Sequence, residues 1–195
     1  MSPRSRRSLT GRSALAVVVA TNLLPLAGVV GFGWRVGELL AVYWIEVAVL
    51  VIAHSAAAMF AERPIRLEGR SFYITGYDED AERDEVWERE PEPIRLVSWL
   101  PPIYRRNFRV VRRSLGVFVF LLFPLVAVGW DALSYLTPTV GLAELGVCGA
   151  QVAEVRREFF AKRAYEERSP YMVVEAAQRV VFFYFVVGML TVVPV

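Results

Sequence analysis

Glu46 and Arg179 are the residues whose types and places could do chemistry, because each carries a charge inside a long apolar run. A charge at mid-bilayer costs about 2.5–3.5 kcal/mol on insertion scales, so it has to be offset by a partner or by water. His54, Gln151 and Gln178 lie on apolar runs as well and supply the other polar groups. A carboxylate near an imidazole can relay a proton or hold a cation. A carboxylate near a guanidinium or a carboxamide can instead tie two helices together. Glu46 is ten residues into its run, about 15 Å deep at 1.5 Å per residue. His54 follows eight residues later on the same helix, about 12 Å further along. Glu175 and Arg179 stand four apart, within pairing distance on a helix. Glu144, Cys148, Gln151, Val155 and Glu158 recur at helical spacing and form a mostly polar stripe. The expectation is one interior cluster of Glu46, His54, Gln151, Gln178 and Arg179, with Glu46 held by Arg179 or by Gln151.

These residues need helices to position them, and the charge distribution locates the helices. The 195-residue chain is 55% hydrophobic and 22% charged, an ordinary charge content. The charge is segregated: residues 13–60, 114–153 and 171–195 hold seven of the 42 charged side chains. That pattern excludes a water-soluble globule and a disordered chain. A helix needs roughly 20 apolar residues to cross a bilayer core of about 30 Å. Runs of that kind occur at 13–33, 36–60, 114–136 and 171–193, with a shorter one at 139–155. Arginines crowd the N-terminal dozen residues, the 61–113 segment and the 154–170 segment. Basic loops stay cytoplasmic. All three lie on that side only if 139–155 also spans, giving five helices with the N-terminus in and the C-terminus out. The fourth helix is expected to continue to about Glu167, before Ser169-Pro170. Arg6-Arg7 begins a fragment like an export signal, but the long run after it, with Pro25 inside, reads as an uncleaved first helix.

Between the second and third spans, residues 76–92 mix both signs of charge and read as a solvated stretch. Residues 94–113 place Trp99, Tyr104 and Phe108 among Arg105, Arg106, Arg109, Arg112 and Arg113. Such a segment is expected to lie on the anionic inner leaflet as a lipid-facing basic interface, or simply to anchor the third helix. Tyr43 and Trp44 sit deeper than an interfacial aromatic belt, which points to packing. A net charge of +2 lacks the basic bias of a nucleic-acid binder. One cysteine, Cys148, and one histidine, His54, leave no internal disulfide, no paired-cysteine site and no multi-histidine metal centre. The expected partners are the lipid bilayer and a second copy or another membrane protein, with no nucleic acid and no cofactor. No hydrolase, metalloprotease or nucleotide-binding motif occurs.

Several runs resemble a known family. They are Asn22-Leu23-Leu24-Pro25-Leu26, Gly33-Trp34, Glu38-Leu39-Leu40 and Tyr43-Trp44-Ile45-Glu46. Together they are similar to a haloarchaeal multi-pass membrane family of unknown function whose second helix carries a YWxE signature. Ser169-Pro170-Tyr171 and Gln178-Arg179-Val180-Val181 resemble its closing segment. The family pattern has Asn where this chain has Val47, and a Ser-His pair on the fourth helix where this chain has Gly149-Ala150-Gln151. It also has a histidine-containing segment near the third helix that this chain lacks. If those histidines serve a metal or cofactor, the resemblance implies that this chain has lost it. The family brings no established activity. The sequence therefore predicts an all-α, five-span membrane bundle in the cell membrane, with a non-enzymatic structural or assembly role. The alternative is a small ion, proton or solute carrier or channel built on the Glu/His/Arg cluster.

Overall fold

The computed structural model describes residues 27–65, 67, 83, 85–87, 90–128 and 137–192. The expected first span up to residue 26, residues 129–136 of the third, and most of the charged stretch 76–92 lie outside the described residues. The chain is mostly helical and belongs to the all-α class. Helix α1 is Val36–Ala58, α2 is Asn107–Val128, α3 is Pro138–Val155 and α4 is Pro170–Val192. Two short strands, β1 (Pro93–Ile94) and β2 (Ile103–Tyr104), pair antiparallel with Pro93 opposite Tyr104.

The helix starts follow from local chemistry. Glu38, in the first turn of α1, accepts the Arg35 backbone N–H at 2.6 Å, the return half of a capping box. Thr137 and Ser169 stand before Pro138 and Pro170, so α3 and α4 each open with a hydroxyl cap followed by proline. Proline at the first helical position sacrifices an N–H that has no helical partner anyway. The Thr137 Oγ1 accepts from Val140 N at 3.4 Å, and the Ser169 Oγ from Met172 N at 3.3 Å.

The chain divides into two compact units, residues 1–45 with 131–147 and residues 46–130 with 148–195. The first centres on Trp34, Val42 and Val140, with Leu39 and Ala143 against them. There a helical turn ends at Gly33, whose φ of 65° is left-handed and suits glycine. The chain reverses so that Trp34 N–H returns to Gly28 O at 3.1 Å. The Trp34 ring covers Gly28 so closely that a methyl there would collide with it.

The second unit has two apolar clusters. One joins Val47, Val51, Ala177 and Val181, with Leu115 and Phe118 against them. The other lies around the C-terminal end of α1, where Ala57, Ala58 and Ala61 meet Ile65, Leu67, Trp87, Val110, Phe159 and Tyr171. Trp87 is thus buried although it comes from the stretch whose composition reads as solvated. One large aromatic removes enough apolar surface from water to fix a polar segment locally.

The basic segment 94–113 divides. Its last seven residues form the first two turns of α2 rather than a separate surface element. After Val155 the chain winds as a π-helical turn, Arg156–Ala161. It then breaks at Arg163, whose φ is 55°, and ends in a 3-10 turn over Ala164–Glu166. The expected continuation to Glu167 is therefore present as helical path, but not as one α-helix.

Candidate functional site

The second unit brings three of the five expected cluster residues together. The Gln151 side chain lies within reach of the Glu46 carboxyl, bringing α3 to α1. Gln151 also lines a cavity of about 350 Å³ with His54, Glu154, Glu158 and Arg168. The carboxamide therefore stands between Glu46 and the cavity. On α3, residues 151, 154 and 155 recur at i, i+3 and i+4, which places them on one face, and Glu158 joins them from the chain just beyond the helix. His54 is contributed by α1, and its Nδ1 lies 2.9 Å from Leu50 O, one turn back. That bond sets the ring orientation. Glu154 and Arg168 are both within electrostatic reach of the ring.

One of the cavity's carboxylates is already paired. Glu158 pairs with Lys162 one turn on, and accepts from Arg157 at 3.0 Å. The Lys162 ammonium, and then the Arg157 guanidinium, hold the Glu158 carboxyl below its ordinary value. Two carboxylates, one arginine and one imidazole make a small polar chamber suited to water, a proton or a small cation. Among the described residues, no three His, Cys, Asp or Glu side chains converge closely enough to hold a metal ion.

Gln178 and Arg179 go elsewhere. Gln178 is fully buried, and its Nε2 donates to both Ser114 O and Ser114 Oγ at 2.8 Å, joining α4 to α2. Arg179 folds back on its own helix and donates to Glu175 at 3.0 Å. Its side chain is 57% exposed while that of Glu175 is 5% exposed, so Arg179 faces outward and does not meet Glu46. The reason is angular: successive residues differ by about 100°, so a helix that turns Gln178 inward carries Arg179 toward the rim. Tyr43 and Trp44 are half-buried on the portion of α1 that belongs to the first unit.

The five arginines expected to face lipid are not equivalent. Arg105, Arg109, Arg112 and Arg113 are exposed. Arg106 instead lies over the Trp87 and Tyr104 rings, at 5.4 and 5.8 Å from their centroids. It also donates to Glu62 O. Burial pushes its guanidinium below, and the Tyr104 phenol above, their ordinary values. Arg106 therefore anchors the loop to the end of α1.

Sequence reading missed Asn107. It is fully buried at the start of α2, and its Nδ2 reaches Ala58 O at 2.9 Å, Met59 O at 3.2 Å and Ala61 O at 2.7 Å. Its two hydrogens serve three carbonyls at the end of α1, where the helical ladder runs out; Ala58 O also accepts from Ala61 N, and Met59 O from Tyr104 N. A lone Asn between arginines offered no spacing signal for this, since its partners are 46–49 residues away.

A protein-family model, described as a family of unknown function (DUF6498), matches residues 4–193. The chain belongs to that family. No curated protein and no solved structure matches it.

Proposed function

We propose that this DUF6498 chain is a five-span protein of the cell membrane, N-terminus in and C-terminus out, with a non-enzymatic structural or assembly role. We read it as haloarchaeal, with Tyr43-Trp44-Ile45-Glu46 as the family signature. One observation carries the structural role: the polar side chains on the apolar helices are used to tie one element to another. Gln178 holds Ser114 across α4 and α2, Asn107 holds the end of α1, and Gln151 reaches toward Glu46 from α3. In hydrocarbon, interhelical hydrogen bonds of this kind contribute about 0.6–2 kcal/mol each.

The membrane part rests on outward-facing apolar surface. Ala41–Ala58 is long and apolar enough to cross a bilayer, with a mean hydropathy of 1.7. The exposed face of α2 changes along its length from Arg109, Arg112 and Arg113 to Val119 and Phe120, the latter 78% exposed. Such a change from basic to apolar along one exposed face fits a helix that leaves the headgroups and enters hydrocarbon. Leu142 and Leu145 on α3 and Phe183 on α4 are exposed as well. A second reading, passage of a proton, ion or small solute, is favoured by the chamber at His54 and Gln151.

Resistance of the membrane-bound chain to carbonate extraction tests integration. Cysteine labelling of Ser71→Cys and Arg35→Cys in a Cys148→Ala background tests orientation, with the first expected inside and the second outside. Proton and cation flux into proteoliposomes separates the two roles. The structural role expects no flux above empty vesicles. Flux that Glu46→Gln or His54→Ala abolishes would establish the second reading in its place.

A further inference from the structure

A second cavity, of about 900 Å³, lies on the other side of the α1–α3 contact, and its walls are unlike the first. Ala53 and Ala56 leave space on α1, and Val152 and Val155 face it from α3. Trp99, 79% exposed, and the half-buried Phe160 line it as well. Its one charged lining residue is Arg156. Arg156 has no ion-pair partner among the described residues, whereas Arg157, Lys162 and Arg163 beside it are all paired. An unpaired guanidinium at the lip of an apolar groove calls for an occupant with an anionic end and a long apolar body.

The π turn makes this arrangement possible. Residues 156–161 wind more widely than an α-helix. Arg156, Phe160 and Ala161 line the groove, while Glu158 and Phe159 line the polar chamber. Ile52 and Val152, 61% and 57% exposed, continue the apolar surface along both helices. On the membrane reading, from which this follows, that surface is continuous with lipid.

We propose that the groove between Trp99, Ala56, Val152 and Arg156 is a binding site for one anionic phospholipid, its phosphate on Arg156 and an acyl chain between α1 and α3. The phosphate accepts from the guanidinium, and the indole lies at headgroup level, where amphipathic rings favour the boundary. The test is native mass spectrometry of the full chain in detergent, titrated with dioleoyl phosphatidylglycerol, dioleoyl phosphatidylcholine or glycerol phosphate. One equivalent of phosphatidylglycerol is expected to bind, with phosphatidylcholine weaker and glycerol phosphate not retained. Arg156→Gln is expected to weaken phosphatidylglycerol about fivefold and leave phosphatidylcholine unchanged. Ala56→Trp, at an exposed position, is expected to fill the groove and remove both lipids. Equal retention of the two lipids by wild type, or wild-type affinity in Arg156→Gln, overturns the site. Retention of glycerol phosphate alone would make it an anion site rather than a lipid site and overturns the proposal too. A chain that resists carbonate extraction yet binds no lipid sinks this site alone. A chain that carbonate extracts sinks the membrane reading first.

Discussion

The polar chamber and the apolar groove share Ala57 and Val155 as a common wall, yet one is built for charge and the other for hydrocarbon. On α1, Leu50, His54 and Ala57 line the chamber, while Ala53, Ala56 and Ala57 line the groove, with Phe60 from just past the helix end. On α3, Gln151 and Glu154 face the chamber and Val152 faces the groove. A shift of one residue, about 100° of rotation, separates the two environments. The chamber's Glu158 is paired twice, whereas the groove's Arg156 has no ion-pair partner among the described residues. Closely spaced polar and apolar residues on one pair of helices can thus build two unlike sites back to back. What keeps them apart is the fixed rotation of those helices.

That rotation is held at the end of α1 by Asn107, so Asn107→Leu is expected to disturb both cavities and have the largest effect. It removes three hydrogen bonds at the end of α1 and takes from Ala61 O its side-chain donor, while Ala58 O keeps Ala61 N and Met59 O keeps Tyr104 N. The expected destabilisation is about 3 kcal/mol. Thermal unfolding in detergent measures it. Hydrogen exchange should rise at Ala61 and Glu62, next to the lost contacts. Asn107→Asp is expected to fail as rescue, because a carboxylate cannot donate to carbonyls.

Substituting the wall itself comes next. Ala57 is 2% exposed and touches both cavities, so Ala57→Leu forces an isobutyl group into one of them. Overpacking of this kind is expected to cost about 1–3 kcal/mol. The comparison sharpens if the side chain turns into the groove: phosphatidylglycerol retention then falls while a water-soluble cysteine reagent still reaches a His54→Cys variant. The reverse pattern would mean that the chamber is the softer of the two.

How much of this was legible in the sequence depends on the range of the interaction. The helix boundaries are local. Pro138 and Pro170 after a hydroxyl residue, and Glu38 three after Arg35, mark starts that the helices use. A carboxyl deep in an apolar run needs a partner, and of the two expected for Glu46, Arg179 or Gln151, it is Gln151 that lies within reach. The partners of Gln178 and Arg179 were not legible, since pattern does not tell which of two adjacent residues turns inward. Gln178 meets a serine 64 residues away. Arg179 takes its own helix neighbour, the contact requiring least ordering of the chain. Composition misread Trp87 for a related reason: averaging over a charged stretch hides its one large apolar side chain. Arg106 looked like its four arginine neighbours, yet two rings and a carbonyl hold it inward. The π turn left no trace, because a one-residue widening changes no residue type.

Within the chamber, Gln151→Leu tests whether the polar side depends on the α1–α3 contact. It leaves the Glu46 carboxyl without the carboxamide within its reach. The expected loss of stability is about 1–2 kcal/mol. Glu46→Leu combined with Gln151→Leu should recover most of it, since replacing both partners by apolar groups leaves nothing unsatisfied. A double variant no more stable than the single would break the link between this contact and the chamber.

The smallest effect separates the two cavities by pH. Glu158 lies on the chamber side, and its carboxyl is held below the ordinary 4.5 by Lys162 and then Arg157. A depressed carboxyl stabilises the folded chain at pH above its unfolded value, where it is ionised in both states. That stabilisation fades as pH falls from about 4.5 through the folded value. Glu158 is 38% exposed, and its partners are 62% and 52% exposed, so solvent screens the pair. The contribution is expected to be no more than about 0.5 kcal/mol. Unfolding of wild type and Glu158→Gln from pH 7 to pH 3 measures it, and the two curves should converge at the acid end. Added salt should bring them together at pH 7 as well. Arg156 takes no part in this pairing, so Glu158→Gln at pH 7 is expected to leave phosphatidylglycerol retention unchanged. A loss of lipid in that variant would show that the shared wall transmits the charge state of one cavity to the other.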